Sequence, residues 1–207
     1  MKKVLEIGGF ISGAILIAFG VAVIAHGASG RSTVNDSLKQ ERIVGTPDMT
    51  LALIKEEATK AGLTGVKLPT DPVAGKAITN GGDARTFAQY MRIHTLEATG
   101  GQTYAEMARY ATADGKGTND PTKALQANGK PVANAARDIW VTETALTTAL
   151  NVSYMAEQLS LFSIVIGAAL LLTGVGFVVL DWAALHRRRA KAVTEAVAAK
   201  PGNAVLA

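Results

Sequence analysis

The sequence predicts a mainly α-helical protein. Two transmembrane helices carry a small helical extracytoplasmic domain, and one long helix runs from that domain through the membrane. Three observations predict this. Residues 159–180, LSLFSIVIGAALLLTGVGFVVL, contain no charge, and their polar members are small. Residues 4–25 form a second apolar run. Between Ala133 and the later run no Gly or Pro interrupts a helical pattern in which Ile139, Leu146, Leu150, Met155 and Leu159 recur. At about 1.5 Å per residue the later run is about 33 Å long, enough for a hydrocarbon core of about 30 Å. A segment apolar on every side has no water-facing stripe, and a helix satisfies its own backbone in lipid.

These runs divide the chain into a cytoplasmic N-terminus (1–3), a first span (4–26), an extracytoplasmic helical domain (27–158), a second span (159–181) and a basic cytoplasmic tail (182–207). Charge sets the orientation. The net charge is +4, yet residues 27–158 hold fourteen Lys/Arg against fourteen Asp/Glu. The excess lies at the ends, in Lys2, Lys3, Arg187, Arg188, Arg189, Lys191 and Lys200 against Glu6, Asp181 and Glu195. Positive charge beside a span marks the cytoplasmic side. Both termini are therefore expected inside a bacterial plasma membrane and the middle outside, with Lys2, Lys3, Arg187, Arg188, Arg189 and Lys191 as the topogenic residues. The pI of about 9.4 then reports topology, not a nucleic-acid partner.

The first apolar run is longer than the 7–15 residues typical of a signal-peptide core, so it is expected to be retained. Gly9 and Gly13 have GxxxG spacing, with Gly20 two turns on. Ser163, Gly167 and Gly174 give the second span a matching small face. Small residues let helix backbones approach closely, so these six are the expected helix-packing residues. Glu6 is placed to reach the cytoplasmic headgroups beside Lys2 and Lys3.

In the middle, residues 30–46 read as irregular or partly extended. A helix follows in TPDMTLALIKEEATKAG, capped by Thr46, with Asp48 complementing the helix dipole and Gly62 as the stop. Residues 63–82 are turn-rich, with a loose hairpin between 66–68 and 77–78. The next helix, DARTFAQYMRIHTLEATG, starts at Asp83 and stops at Gly100. A third, TYAEMARYA, begins with the capping-box spacing of Thr103 and Glu106. Residues 112–131 read as a loop. Its DGKGTND stretch departs from a calcium loop at Lys116 and Asn119. The tail is expected to stay helical to about Lys200.

Chemistry-bearing motifs are scarce. The chain has no cysteine, which excludes disulfides, thiolate metal sites and Cys nucleophiles. The three histidines, His26, His94 and His186, form no close pair, and neither HExxH nor GxSxG occurs. No catalytic residue, metal ligand or cofactor is therefore expected. The residues that would face a ligand, if one binds, are Tyr90, His94, Tyr104 and Tyr110 in the middle domain.

The phrases MKKVLEIGGFISGAILIAFG, RSTVNDSLKQERIVGTPDMT, YMRIHTLEATGGQTYAEMARY and WVTETALTTALNVSYMAEQL resemble a family of small, uncharacterised actinobacterial membrane proteins. The resemblance covers nearly the whole chain and implies a two-span membrane protein. Some members carry the label of an aromatic ring-opening dioxygenase. The residues speak against it, because non-haem iron takes two His and a carboxylate, and the predicted topology separates His186 from the other two. The leading expectation is a non-enzymatic interaction, scaffold or accessory-subunit protein. Its partners would be the lipid bilayer and other membrane proteins or a second copy of itself. An extracytoplasmic small-molecule or lipid binding module is the alternative, and a membrane-tethered enzyme stands third, requiring His94 beside a carboxylate or hydroxyl in a cleft.

Overall fold

The computed structural model describes residues 2–198. The side chains of 2–6, 196 and 197 lie outside the described residues, and with them the readings at Lys2, Lys3 and Glu6; so does Lys200. Among the described residues four helices dominate: α1 (Lys2–Glu41), α2 (Leu51–Lys60), α3 (Gly81–Ala98) and α4 (Ala135–Ala198). Two short antiparallel strands, β1 (Gln126–Ala127) and β2 (Lys130–Pro131), precede α4. Both α1 and α4 contain stretches long and apolar enough to cross a membrane. The chain divides into two compact units, one from Met1–Ser29 with Ser160–Ala207, the other Gly30–Leu159.

The first unit is an antiparallel helix pair with its small residues inside. A Cβ placed on Gly13 would stand 2.8 Å from the carbonyl oxygen of Gly174. One on Gly20 would stand 2.7 Å from that of Gly167, and one on Gly27 2.7 Å from that of Ser160. Each step of seven up α1 is a step of seven down α4. A seven-residue repeat keeps one seam facing its partner along a slightly supercoiled pair. Ile17, Ile24 and Ile164 fill the space beside the glycines. Gly9 meets Asp181 instead of a small residue, and its added Cβ would run into the Asp181 carboxylate. Ser163 is half-buried. The large apolar side chains point the other way: Phe10, Phe19, Phe162 and Leu172 are 56%, 61%, 60% and 70% exposed. This is a soluble bundle turned inside out.

The second unit has an ordinary core: Leu38 from α1, Met49, Ile54 and Ala58 at α2, Val73 and Ile78 from the following loop, Phe87, Tyr90 and Ile93 from α3, and Leu150 from α4. Leu38 corrects the first expectation here. Residues 30–41 are not irregular but continue α1, because Val34 and Leu38 present an apolar face to this core while Ser32, Asp36 and Lys39 face out. The helix ends at Arg42, in the left-handed region at φ 53°. The predicted starts shift by a few residues. Thr50, not Thr46, caps α2, its hydroxyl accepting from the Leu53 amide, and Asn80, not Asp83, caps α3, accepting from the Asp83 amide. The stops are where the glycines put them. Past α2 the amide of Leu63 donates to Ala58 and that of Gly62 to Thr59, and past α3 Gly101 donates to Leu96 and Gly100 to Glu97. Both are paired closures around a glycine with positive φ.

Other expectations fail for tertiary reasons. The 66–68/77–78 hairpin does not form. Residues 73–78 bond back to 43–49 instead, through Gly45 to Lys76, Gly75 to Gly45 and Ile78 to Ile43. Gly45 lies so close to Val73 that a side chain there would strike the Val73 carbonyl. The third helix is a single turn. Thr103 and Glu106 do bond, at 2.7 Å, but beyond Met107 the backbone pairs across the chain: Tyr110 with Thr118, Ala111 with Val132 and Asn134 with Arg109. The loop 112–131 contains β1 and β2, joined by Asn128-Gly129 with φ 53° and 73°, the two positive values a tight hairpin turn requires. The long final helix is continuous to Ala198.

Candidate functional site

The second unit brings one titratable cluster together, at the junction of α2 and α3. Thr46, Pro47 and Asp48 make a turn ahead of α2, closed by the Met49 amide on the Thr46 carbonyl and the Thr50 amide on that of Asp48. Glu57 follows two turns into α2, and α3 carries His94. Packing of Ile54 and Ala58 against the α3 core face sets these elements side by side. His94 Nδ1 then lies 2.7 Å from Glu57 Oε1, and His94 Nε2 lies 3.6 Å from Asp48 Oδ2. One donor atom from each residue falls within 4.8 Å of the other two.

The three groups differ in access. His94 and Glu57 side chains are each 23% exposed, and Asp48 is 53% exposed. An ionised carboxylate only accepts, so the His94 Nδ1–H donates to Glu57. The other ring nitrogen, Nε2, is buried and makes no hydrogen bond. A hydrogen bond from Thr46 holds the Asp48 carboxyl below its ordinary range, against a smaller opposing effect of burial; its own backbone amide and His94 act in the same direction. Beside the cluster opens a hollow of about 480 Å³ whose wall includes Asp48, Glu56, Glu57 and Glu97, with Lys60 bound to Glu56 at 2.6 Å. The wall is acidic. Glu57 is the carboxylate beside His94 that the membrane-tethered enzyme reading required, and a His so held suits proton transfer; the group facing Nε2 is another carboxylate rather than a hydroxyl, so the triad logic of nucleophilic catalysis is not met.

A second hollow, about 280 Å³, has a cationic wall of Lys67, Arg85 and Arg92 with Gln89 and Asn151. Arg92 is committed twice: it pairs with buried Glu143 at 3.0 Å and lies 4.5 Å over the Trp140 ring. Arg85 lies 4.6 Å over Tyr154. Burial pushes the Glu143 carboxyl up, against the pull of Arg92. Near the end of the unit, buried Glu157 takes the Arg31 Nε–H at 3.0 Å and the Gly81 amide at 2.6 Å. That carboxylate sits on the N-terminus of α3, where the helix dipole favours it.

The four residues singled out as ligand-facing fall in different settings. Tyr90 is wholly buried in the core, its hydroxyl donating to the Asp71 carbonyl at 3.2 Å. Tyr104 is 42% exposed with Arg137 stacked 3.8 Å above it. Tyr110 belongs to the cross-chain bridges with Thr118 and Ala133. His94 alone of the four reaches a cluster of polar groups. In the helix-pair unit, Trp182 meets His186 edge-on at 4.3 Å, and Arg187, Arg188, Arg189 and Lys191 are exposed. The sequence reading missed Asp48 and Glu57 as neighbours of His94. Asp48 reads as a helix-dipole residue, and Glu57 carries no signal of its own in the sequence.

Comparison with protein-family models, with curated proteins and with solved structures gives no match.

Proposed function

We propose that the chain is a two-span plasma-membrane protein with both ends in the cytoplasm. Its Gly30–Leu159 unit then works outside as a non-enzymatic interaction module, a scaffold or accessory subunit. One observation carries this reading. The helix-pair unit buries glycines and exposes Phe10, Phe19, Phe162 and Leu172, an arrangement costly in water and suited to lipid. The charge balance of the middle and the basic run 187–191 supply the orientation. The reading agrees with the resemblance to small actinobacterial membrane proteins. It gives no support to ring-opening dioxygenase chemistry, since His94 meets two carboxylates where that iron site takes a second His.

Because the native chain lacks cysteine, single introduced thiols report position cleanly. In intact cells a membrane-impermeant maleimide is expected to label Lys55→Cys, and to label Lys191→Cys only after lysis. The opposite pattern overturns the orientation. Photo-crosslinking from exposed positions of the Gly30–Leu159 unit in native membranes is expected to give discrete adducts, with a second copy or another membrane protein. A chain that remains an uncrosslinked monomer overturns the scaffold reading.

A further inference from the structure

We propose that Asp48 and His94 form a binding site for a first-row divalent cation of the Zn²⁺ class, with Glu57 holding the imidazole in the ligating orientation. The argument rests on the two sides of His94. Its Nδ1–H is fixed on Glu57 at 2.7 Å. Metal-binding histidines are commonly held this way, one nitrogen on a carboxylate and the other on the metal. The free nitrogen, Nε2, is buried without a hydrogen bond and aimed at the Asp48 carboxylate. Their 3.6 Å separation is too long for an N–H···O hydrogen bond of about 2.7–3.2 Å. It is close to what two ligands of one ion show: bonds of about 2.0–2.1 Å at tetrahedral to trigonal angles put the ligand atoms about 3.3–3.6 Å apart.

The surroundings agree. Asp48 is half-exposed on the wall of the hollow, so an ion has a route to its carboxylate. Glu56 and Glu97 add negative charge to the wall, which raises the local cation concentration. One imidazole and one or two carboxylates, with no thiolate in the chain, suit Zn²⁺, Co²⁺ or Ni²⁺ better than Cu⁺. An imidazolium held between the two carboxylates would bind no ion.

The full chain in detergent micelles is titrated with CoCl₂, followed by visible absorption, and with ZnCl₂ by calorimetry. Saturable binding of one ion per chain is expected. Asp48→Asn and His94→Gln are each expected to weaken it at least about tenfold, and Glu57→Gln by about 10–100-fold, the usual effect of removing such an orienting carboxylate. Asp114→Asn, in an exposed turn elsewhere, leaves it unchanged. Zn²⁺ raises the melting temperature of the wild type and not of Asp48→Asn. Should His94→Gln fail to fold by circular dichroism, Asp48→Asn decides, because that carboxylate is exposed enough to change without loss of the core. No saturable binding, as an imidazolium bridge would give, overturns the proposal. So does binding that survives Asp48→Asn, and affinity unchanged in Glu57→Gln removes the orienting role.

Discussion

Replacing Gly20 by Ala tests the helix pair most directly. The new Cβ would stand 2.7 Å from the Gly167 carbonyl oxygen and 2.7 Å from the Leu171 amide nitrogen. Both are backbone atoms, which cannot swing aside. Ordinary contact begins near 3.4–3.5 Å, so the helices must separate by about 0.7 Å or tilt, at an overpacking cost of about 1–3 kcal/mol. Against this, Ala gains up to about 1 kcal/mol of helix propensity over Gly. Gly176 on α4 supplies the control, because a Cβ there meets nothing within 4 Å and Gly176→Ala reports propensity alone. The difference between the two variants therefore isolates the seam. The assay is an SDS titration in mild-detergent micelles, reading energy transfer between dyes on Ile7→Cys and Val179→Cys, both exposed sites. Gly20→Ala is expected to lower the midpoint, and Gly176→Ala to hold or raise it. Equal shifts in the two variants would refute the close-packed seam.

Two further predictions concern the buried carboxylates. Glu157→Gln loses charge-assisted bonds to the Gly81 amide and Arg31, and is expected to cost about 2 kcal/mol by chemical denaturation. Arg31→Ala is expected to cost a similar amount, because it leaves the Glu157 carboxylate, 6% exposed, without its cation. Glu143 titrates above its ordinary value of 4.5 because it is buried. The folded state then binds more protons than the unfolded one just above that value, and wild-type stability falls as the pH rises through the window. The melting temperature of Glu143→Gln relative to wild type is thus expected to climb between pH 4 and neutrality. A difference that stays flat or reverses removes burial as the dominant cause. Asp48 runs the other way: its depressed value adds stability that is present above the ordinary 3.8 and is lost as the pH falls from there through the folded state's lower value.

Local signals were legible wherever a residue acts on its own neighbourhood. Gly62 and Gly100 close α2 and α3 because positive φ is a property of the residue itself. The unbroken pattern from Ala133 onward became one helix for the same reason. Misreadings arose where a distant partner decides. Gly27, Ser29 and Gly30 look like an exit from a helix, yet Leu38 has a core to enter and the helix carries on. Thr103 and Glu106 start a helix in every local respect, but Tyr110 and Ala111 find better backbone partners at Thr118 and Val132. Asn128-Gly129 was a local signal that went unread. The Asp48–Glu57–His94 cluster had none. His94 lies 37 residues from Glu57, and only the packing of α3 on α2 makes them neighbours.

Glu157 has a consequence for biosynthesis. The carboxylate that serves Arg31 and the Gly81 amide is translated 126 residues after the first and 76 after the second. Leu150, a core residue, is also late. On the ribosome the core of this unit therefore stays incomplete until Leu150 and Glu157, just ahead of the last apolar run, have emerged. A transcript cut short before codon 157 would release an unfinished globule for proteases to clear.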